Sequence, residues 1–112
     1  MFHSVAGGLE HYMTLLTARQ KIVTSNIANV DTPGYRTRDV NFQSELYGLL
    51  DVDNPRGEEV AGLPVKPDGN NVSLDREARL LAENALRFTV ASQLARSEIR
   101  MIRSAIQEGK TG

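Results

Sequence analysis

The sequence predicts a mainly α protein in which long N- and C-terminal helices form a hairpin with coiled-coil-like seams around a Pro/Gly-rich irregular middle. Three observations predict it. Apolar residues recur at helical steps near both ends, prolines and glycines collect between them, and 112 residues leave room for one domain at most.

In the N-terminal segment, residues 1–30, Val5, Leu9, Tyr12 and Leu16 are followed by Val23, Ile27 and Val30, with Met13, Leu15 and Ile22 alongside. Steps of three and four place these on one helical stripe, so the spacing predicts a helix over roughly 9–30 that frays toward Gly7-Gly8. Arg19 and Asn26 interrupt the stripe. A polar residue in an apolar seam commonly sets register at some cost in stability.

Residues 31–50 hold the sharpest local signal. Pro33 has no amide proton and drives Thr32 out of the α region, so the helix ends at or before Asp31. Pro33-Gly34 suits the two central positions of a type II turn, with positive φ at Gly34 and Thr32 and Tyr35 as flanks. Beyond the charged run Arg36-Thr37-Arg38-Asp39, Asn41 is placed to cap a short helix through Phe42, Leu46, Leu49 and Leu50. Residues 51–72 contain three of the four prolines and no periodicity, which reads as a loop, a linker or at most a small hairpin.

The longest pattern is the C-terminal helix, residues 73–108. Ser73 is a good N-cap, Asp75 and Glu77 fall where the helix dipole favours acids, and Gly109 is placed as a stop. Leu74, Ala78, Leu81, Ala85, Phe88, Ser92, Ala95, Ile99, Ile102 and Ile106 then alternate steps of four and three without a slip, as in an a/d heptad seam. A helix of that span is on the order of 50 Å long, more than a domain of this size can cover. Both terminal seams therefore call for partners outside the chain.

Little in the sequence supports catalysis. With no cysteine there is no disulfide framework, thiolate nucleophile or thiolate metal site. His3 and His11 are too far apart for one turn of a helical metal site and read as surface histidines. Glu58-Glu59 and Asp51/Asp53 sit in the Pro/Gly-rich loop without an apolar pocket, so they read as solvated charge. Asn71-Val72-Ser73 matches a glycosylation sequon, but the N-terminus has no basic and apolar leader to make it relevant. A net charge of -1 provides no overall basic field for nucleic acid or lipid, although Arg87, Arg96, Arg100 and Arg103 give the last helix a basic side. No catalytic, cofactor or metal site is expected.

The stretch TARQKIVTSNIANVDTPGYRTRDVNFQSEL, residues 17–46, resembles the N-terminal signature of the bacterial flagellar rod and hook axial proteins. Its motif residues here are Asn26, Ala28, Asn29, Thr32, Pro33, Gly34 and Tyr35. DGNNVSLDREARLLAENALRF, residues 68–88, resembles the C-terminal region of one short rod member, with Ala78 where a larger apolar residue is usual and Phe88 where tyrosine is. The resemblance implies a structural subunit of the proximal rod, self-assembling through its terminal helices into a periplasmic tube that transmits torque. It implies export through the flagellar type III apparatus without a cleaved signal peptide. Implied partners are other rod subunits and the adaptor that joins the rod to the MS ring; no cofactor is implied. The assembly interface would be carried by Leu9, Leu16, Val23 and Ile27 of the first helix. In the second it would be carried by Leu81, Ala85, Phe88, Ala95, Ile99, Ile102 and Ile106. Asn26 and Asn29 would set register, and Pro33-Gly34 would aim the chain outward. Another short rod subunit is the alternative within the family, and a soluble helical-hairpin adaptor or chaperone the alternative from another class. An enzyme that opens peptidoglycan for the rod is a weaker one, for want of an acid/base pair.

Overall fold

The computed structural model describes residues 5–42 and 57–111. The short helix expected over residues 41–50 and the pair Asp51/Asp53 lie almost wholly outside these, as does His3. Two helices dominate: α1 (Val5–Ala28) and α2 (Leu74–Thr111). Between them β1 (Arg38–Asp39) and β2 (Glu58–Glu59) form a minimal antiparallel ladder, with Arg38 opposite Glu59 and Asp39 opposite Glu58.

The helices run antiparallel. Asn26 near the end of α1 meets Glu77 at the start of α2, Leu16 meets Asn84, and Tyr12 meets Arg87. Covered positions on α1 are His11, Leu15, Leu16, Val23 and Asn26; those on α2 are Glu77, Asn84 and Ala91. The α2 residues recur every seventh position, so the intrachain seam is a heptad line. It is not the line of Leu, Phe and Ile residues but the adjacent, partly polar one. Asn84 explains why: its amide donates to Leu16 O at 2.9 Å and to Gln20 Oε1 at 3.1 Å, pinning the register of the helices. His11 is 3% exposed, so it belongs to this interface and is not the surface histidine its spacing suggested.

Ser73 caps α2 as expected, its Oγ accepting the Arg76 amide at 3.3 Å. The expected stop at Gly109 does not occur, since the helix continues to Thr111 and Gly109 has no positive φ. A glycine ends a helix only when something favours the left-handed conformation, and a Cβ added at Gly109 would meet nothing within 4 Å beyond its own helix backbone, so no contact requires glycine there. At about 1.5 Å per residue α2 is roughly 57 Å long and α1 roughly 36 Å. The molecule is accordingly drawn out to 71 × 26 × 17 Å, with a radius of gyration of 18.4 Å. A compact domain of the same length would have about 13 Å. Residues 99–110 of α2 run past the start of α1 and are all exposed.

This uneven cover has a measurable consequence. In hydrogen exchange on the dilute chain, amides of residues 15–26 and 77–91 are expected to be protected, and those of 99–111 to exchange at rates near those of an isolated helix. Equal protection along α2 would contradict the uncovered overhang.

Candidate functional site

The turn forms as its residues require. Gly34 has φ +76°, and the Tyr35 amide donates to Thr32 O at 3.2 Å, so Pro33-Gly34 occupies the centre of a type II turn. The helix reaches it by tightening: Asn29 N–H is shared between Ser25 O and Asn26 O, Val30 donates to Ile27 O, and Thr32 to Asn29 O. The carbonyls of the turn that follows α1 are then satisfied from a distant segment. Asn70 Nδ2 donates to Asn29 O at 2.9 Å and Thr32 O at 2.8 Å, while Lys66 Nζ approaches Val30 O at 3.4 Å.

That segment was expected to be a loop, a linker or at most a small hairpin, and within it Lys66–Asn70 closes on itself through Lys66 N–H to Asn70 O (2.8 Å) and Gly69 N–H to Lys66 O (2.8 Å), with Gly69 at φ +88°. Pro67 presets its bend, and Asn70, Asn71 and Val72 are buried. Asn71 binds the outgoing chain: its Oδ1 accepts the Thr37 amide at 2.6 Å and its carbonyl accepts the Thr37 hydroxyl at 3.1 Å. Buried there, Asn71 has no surface to offer as a glycosylation site. Hydrogen bonds from side-chain amides replace the apolar periodicity that was missing from the sequence.

Asn26 joins all of this to α2. Its Nδ2 donates to Arg38 O at 2.7 Å and to Glu77 Oε1 at 2.5 Å; its Oδ1 accepts from Tyr35 Oη at 3.0 Å and Arg38 N at 3.2 Å. Two donors and two acceptor positions are all that an amide has, and every one is used. Asn26 therefore binds the turn and β1 to both helices, and its bond to Glu77 ties α1 directly to α2. The structure brings Asn26, Asn29, Thr32, Gly34 and Tyr35 into one junction, while Ala28, Thr32, Pro33 and Gly34 also face outward as exposed surface.

A charge cluster lies alongside. Arg19 clamps Asp39 through two bonds of 3.1 and 3.0 Å, and Arg76 bridges Asp39 at 3.3 Å and Glu77 at 3.2 Å. Arg19 thus leaves the stripe to meet β1, with its guanidinium also 5.7 Å from the Phe42 ring centre. Glu77, expected in the first turn where the helix dipole favours acids, is there and is fully buried. Burial pushes its carboxyl above the ordinary carboxylate value, against the opposing pull of the Asn26 hydrogen bond and the Arg76 charge; Asp39 adds to the rise and Arg19 reduces it.

The proposed interface residues divide. Leu16 and Val23 are completely covered by the chain itself, so they hold the hairpin together and have no surface for a neighbour. Leu9, Ile27, Leu81 and Ala95 are partly covered and Ala85 is exposed. Ile99, Ile102 and Ile106 are 51%, 50% and 56% exposed, an apolar line left half open among the described residues. An open groove of about 700 Å³ runs between the helices there, lined by Leu9, Met13, Ile22, Phe88, Ile99 and Ile102. Phe88 contributes its ring to this groove, where a tyrosine hydroxyl has no role in covering apolar surface. Glu58 and Glu59 are exposed on β2, with Arg36 3.8 Å from Glu59. Among the described residues no group of His, Asp and Glu is placed to hold a metal, and no helix is long and apolar enough to cross a membrane.

A rigid two-helix rod with a fixed exit turn and an uncovered apolar line defines a protein built for assembly into a larger structure. Residues 13–36, from the second turns of α1 through the Pro-Gly turn, match the family of flagella basal body rod proteins. The chain is 30% identical to flagellar basal body rod protein FlgB of Yersinia enterocolitica over 87% of its length and 89% of that protein's. The FlgB protein of Salmonella typhimurium is also 30% identical, over 87% and 88%, and that of Bacillus subtilis 25%, over 98% of each. The chain belongs to the FlgB family of flagellar basal body rod proteins, a structural family, and is a structural subunit of the flagellar rod.

Two substitutions test the junction. Asn26→Leu leaves the Arg38 N–H and carbonyl without their partner and takes one of the hydrogen bonds from buried Glu77, and it is expected to cost about 2–4 kcal/mol, read from urea unfolding. A loss under about 0.5 kcal/mol would mean water replaces the amide. Glu77→Gln keeps an acceptor for Asn26 but removes the proton-dependent term. Because the folded pKa of Glu77 is raised, its favourable contribution is full below about 4.5 and is lost as pH rises through the folded value. The stability of Glu77→Gln relative to the wild type is therefore expected to increase with pH across that window, and a constant difference would contradict it.

Proposed function

We propose that this chain is a subunit of the proximal rod, with the α1–α2 hairpin in the wall of a periplasmic tube that transmits torque. The reading is supported above all by the uncovered line Ile99, Ile102 and Ile106 on a helix that outruns its own partner. A dry helix interface is the environment such a line requires. The junction at Asn26 and Pro33-Gly34 fixes the angle at which the outer part of the subunit leaves the hairpin. Neighbours would be other rod subunits and the adaptor between rod and MS ring, reached after type III export in a largely unfolded form without a cleaved signal. An independent helical adaptor would instead cover its apolar line within the monomer or a small oligomer, which the 71 Å shape does not favour.

Ile99→Asp or Ile102→Asp places an unpaired carboxylate in that interface. Both positions are half exposed in the single chain, so its folding is spared. Secreted subunit is expected at wild-type amounts while completed basal bodies disappear; Arg100→Ser, beside the line, is expected to be mild. Normal basal body counts with either Asp variant would remove this helix from the tube wall.

A further inference from the structure

The flank of α2 opposite the groove holds a second apolar depression. Tyr12, Leu86, Arg87, Val90, Ala91 and Leu94 line a concave space of about 370 Å³, and Leu86, Val90 and Leu94 are 67%, 48% and 52% exposed. Its rim offers little net charge, because Arg87 is paired with Glu83 at 2.8 Å. Phe42 stands at the mouth: its ring meets Tyr12 edge to face with centres 5.6 Å apart and lies 6.0 Å from the Arg87 guanidinium. The chain arrives there from the junction, with Asp39 held by Arg19 and Phe42 three residues on at Tyr12, so it travels toward the start of α1 and, along α2, toward Leu94. Phe42 itself is helical.

We infer that the segment from Phe42 to Leu50 seats in this depression as a short helix running beside α2, so that the chain itself covers this flank and leaves the groove flank to its neighbours. The sequence supplies the matching face: Phe42, Leu46, Leu49 and Leu50 recur at the spacing of one helical stripe, with no charged residue among them. An uncharged stripe is what a rim with its charges already paired accepts. Length agrees, since α2 advances about 10 Å from Arg87 to Leu94 and a helix from Phe42 to Leu50 advances about 12 Å. With Phe42 at Arg87, this sets Leu46 level with Val90 and Ala91, and Leu49 level with Leu94. Seven extended residues from Leu50 then reach back about 23 Å. That reach returns the chain to Gly57, which lies against Ile22 and whose carbonyl accepts from Arg38 at 2.9 Å. The covalent tether decides between occupants. A segment that begins at the mouth is present at an effective concentration in the range of about 1 mM, whereas a second copy or another protein must also lose its translational and rotational freedom.

The absence of native cysteine makes the test direct. The purified chain carrying Leu49→Cys and Leu94→Cys is treated with a short bismaleimide at micromolar concentration. A linked product at the mass of one chain is expected, forming at a rate that dilution does not change. Leu49→Cys with Ile99→Cys, which lies on the groove flank, is expected to link about tenfold more slowly or less. Leu46→Cys with Val90→Cys repeats the test one turn away, to guard against a poor sulfur position. Equal rates for the two flanks would overturn the seat, as would the lack of a one-chain product from both pairs on the Leu94 flank. Product only at twice the chain mass would overturn it too, and would make a second copy the occupant. Hydrogen exchange gives a readout without a linker. Val90→Asp puts a carboxylate into the depression, and protection of residues 43–50 is expected to fall about tenfold while that of 15–26 is kept. Unchanged protection over 43–50 would overturn the seat. All of this is read on the single chain in solution, so it stands or falls separately from the placement in the rod.

Discussion

The structure depends on one saturated side chain. Asn26 uses both amide protons and both acceptor positions of its oxygen on Arg38, Tyr35 and Glu77, and is itself wholly buried. Only a side-chain amide supplies this set of donors and acceptors. A carboxylate would face Glu77 and the Arg38 carbonyl without donors, and an apolar side chain would leave several buried groups unpaired. Since these groups belong to α1, the turn, β1 and α2, losing the amide loosens every joint at once.

Asparagine recurs for the same reason elsewhere in the junction. Asn70 holds the turn that follows α1, Asn71 holds Thr37, and Asn84 fastens α2 to the middle of α1. The core contains few large apolar residues, with Leu15, Leu16 and Val23 the main ones fully covered. Directional hydrogen bonds therefore decide geometry where hydrophobic packing, which is not directional, has little to grip. Rigidity at this joint and bare apolar surface along the helices are complementary. A subunit that must present surfaces to neighbours at fixed angles leaves them uncovered while locking the segments that aim them.

Buried charge in the same place adds a chemical consequence. Asp39, Arg19, Arg76 and Glu77 form a compact set of opposite charges at the contact between α1, β1 and α2. Glu77 is the costly member, because burial favours its neutral form even beside two guanidinium groups. Proton binding at Glu77 is thus linked to the closure of the hairpin.

The sequence by itself determined the two helices, the type II turn at Pro33-Gly34 and the uncovered line of Ile99, Ile102 and Ile106. Each follows from local rules: helical spacing, the fixed φ of proline and the freedom of glycine, and a helix too long for its own chain to cover. Tertiary structure alone decided the rest. Periodicity marked Leu16 and Val23 as apolar but not which surface covers them, and it passed over Glu77, Asn84 and Ala91 because two of the three are polar. The Lys66–Asn70 segment carries no apolar pattern, since its role is met by amide hydrogen bonds to residues about forty positions away, a partnership invisible to any local window. Which face of a helix is inside is a property of its neighbours, and neighbours are set by the fold.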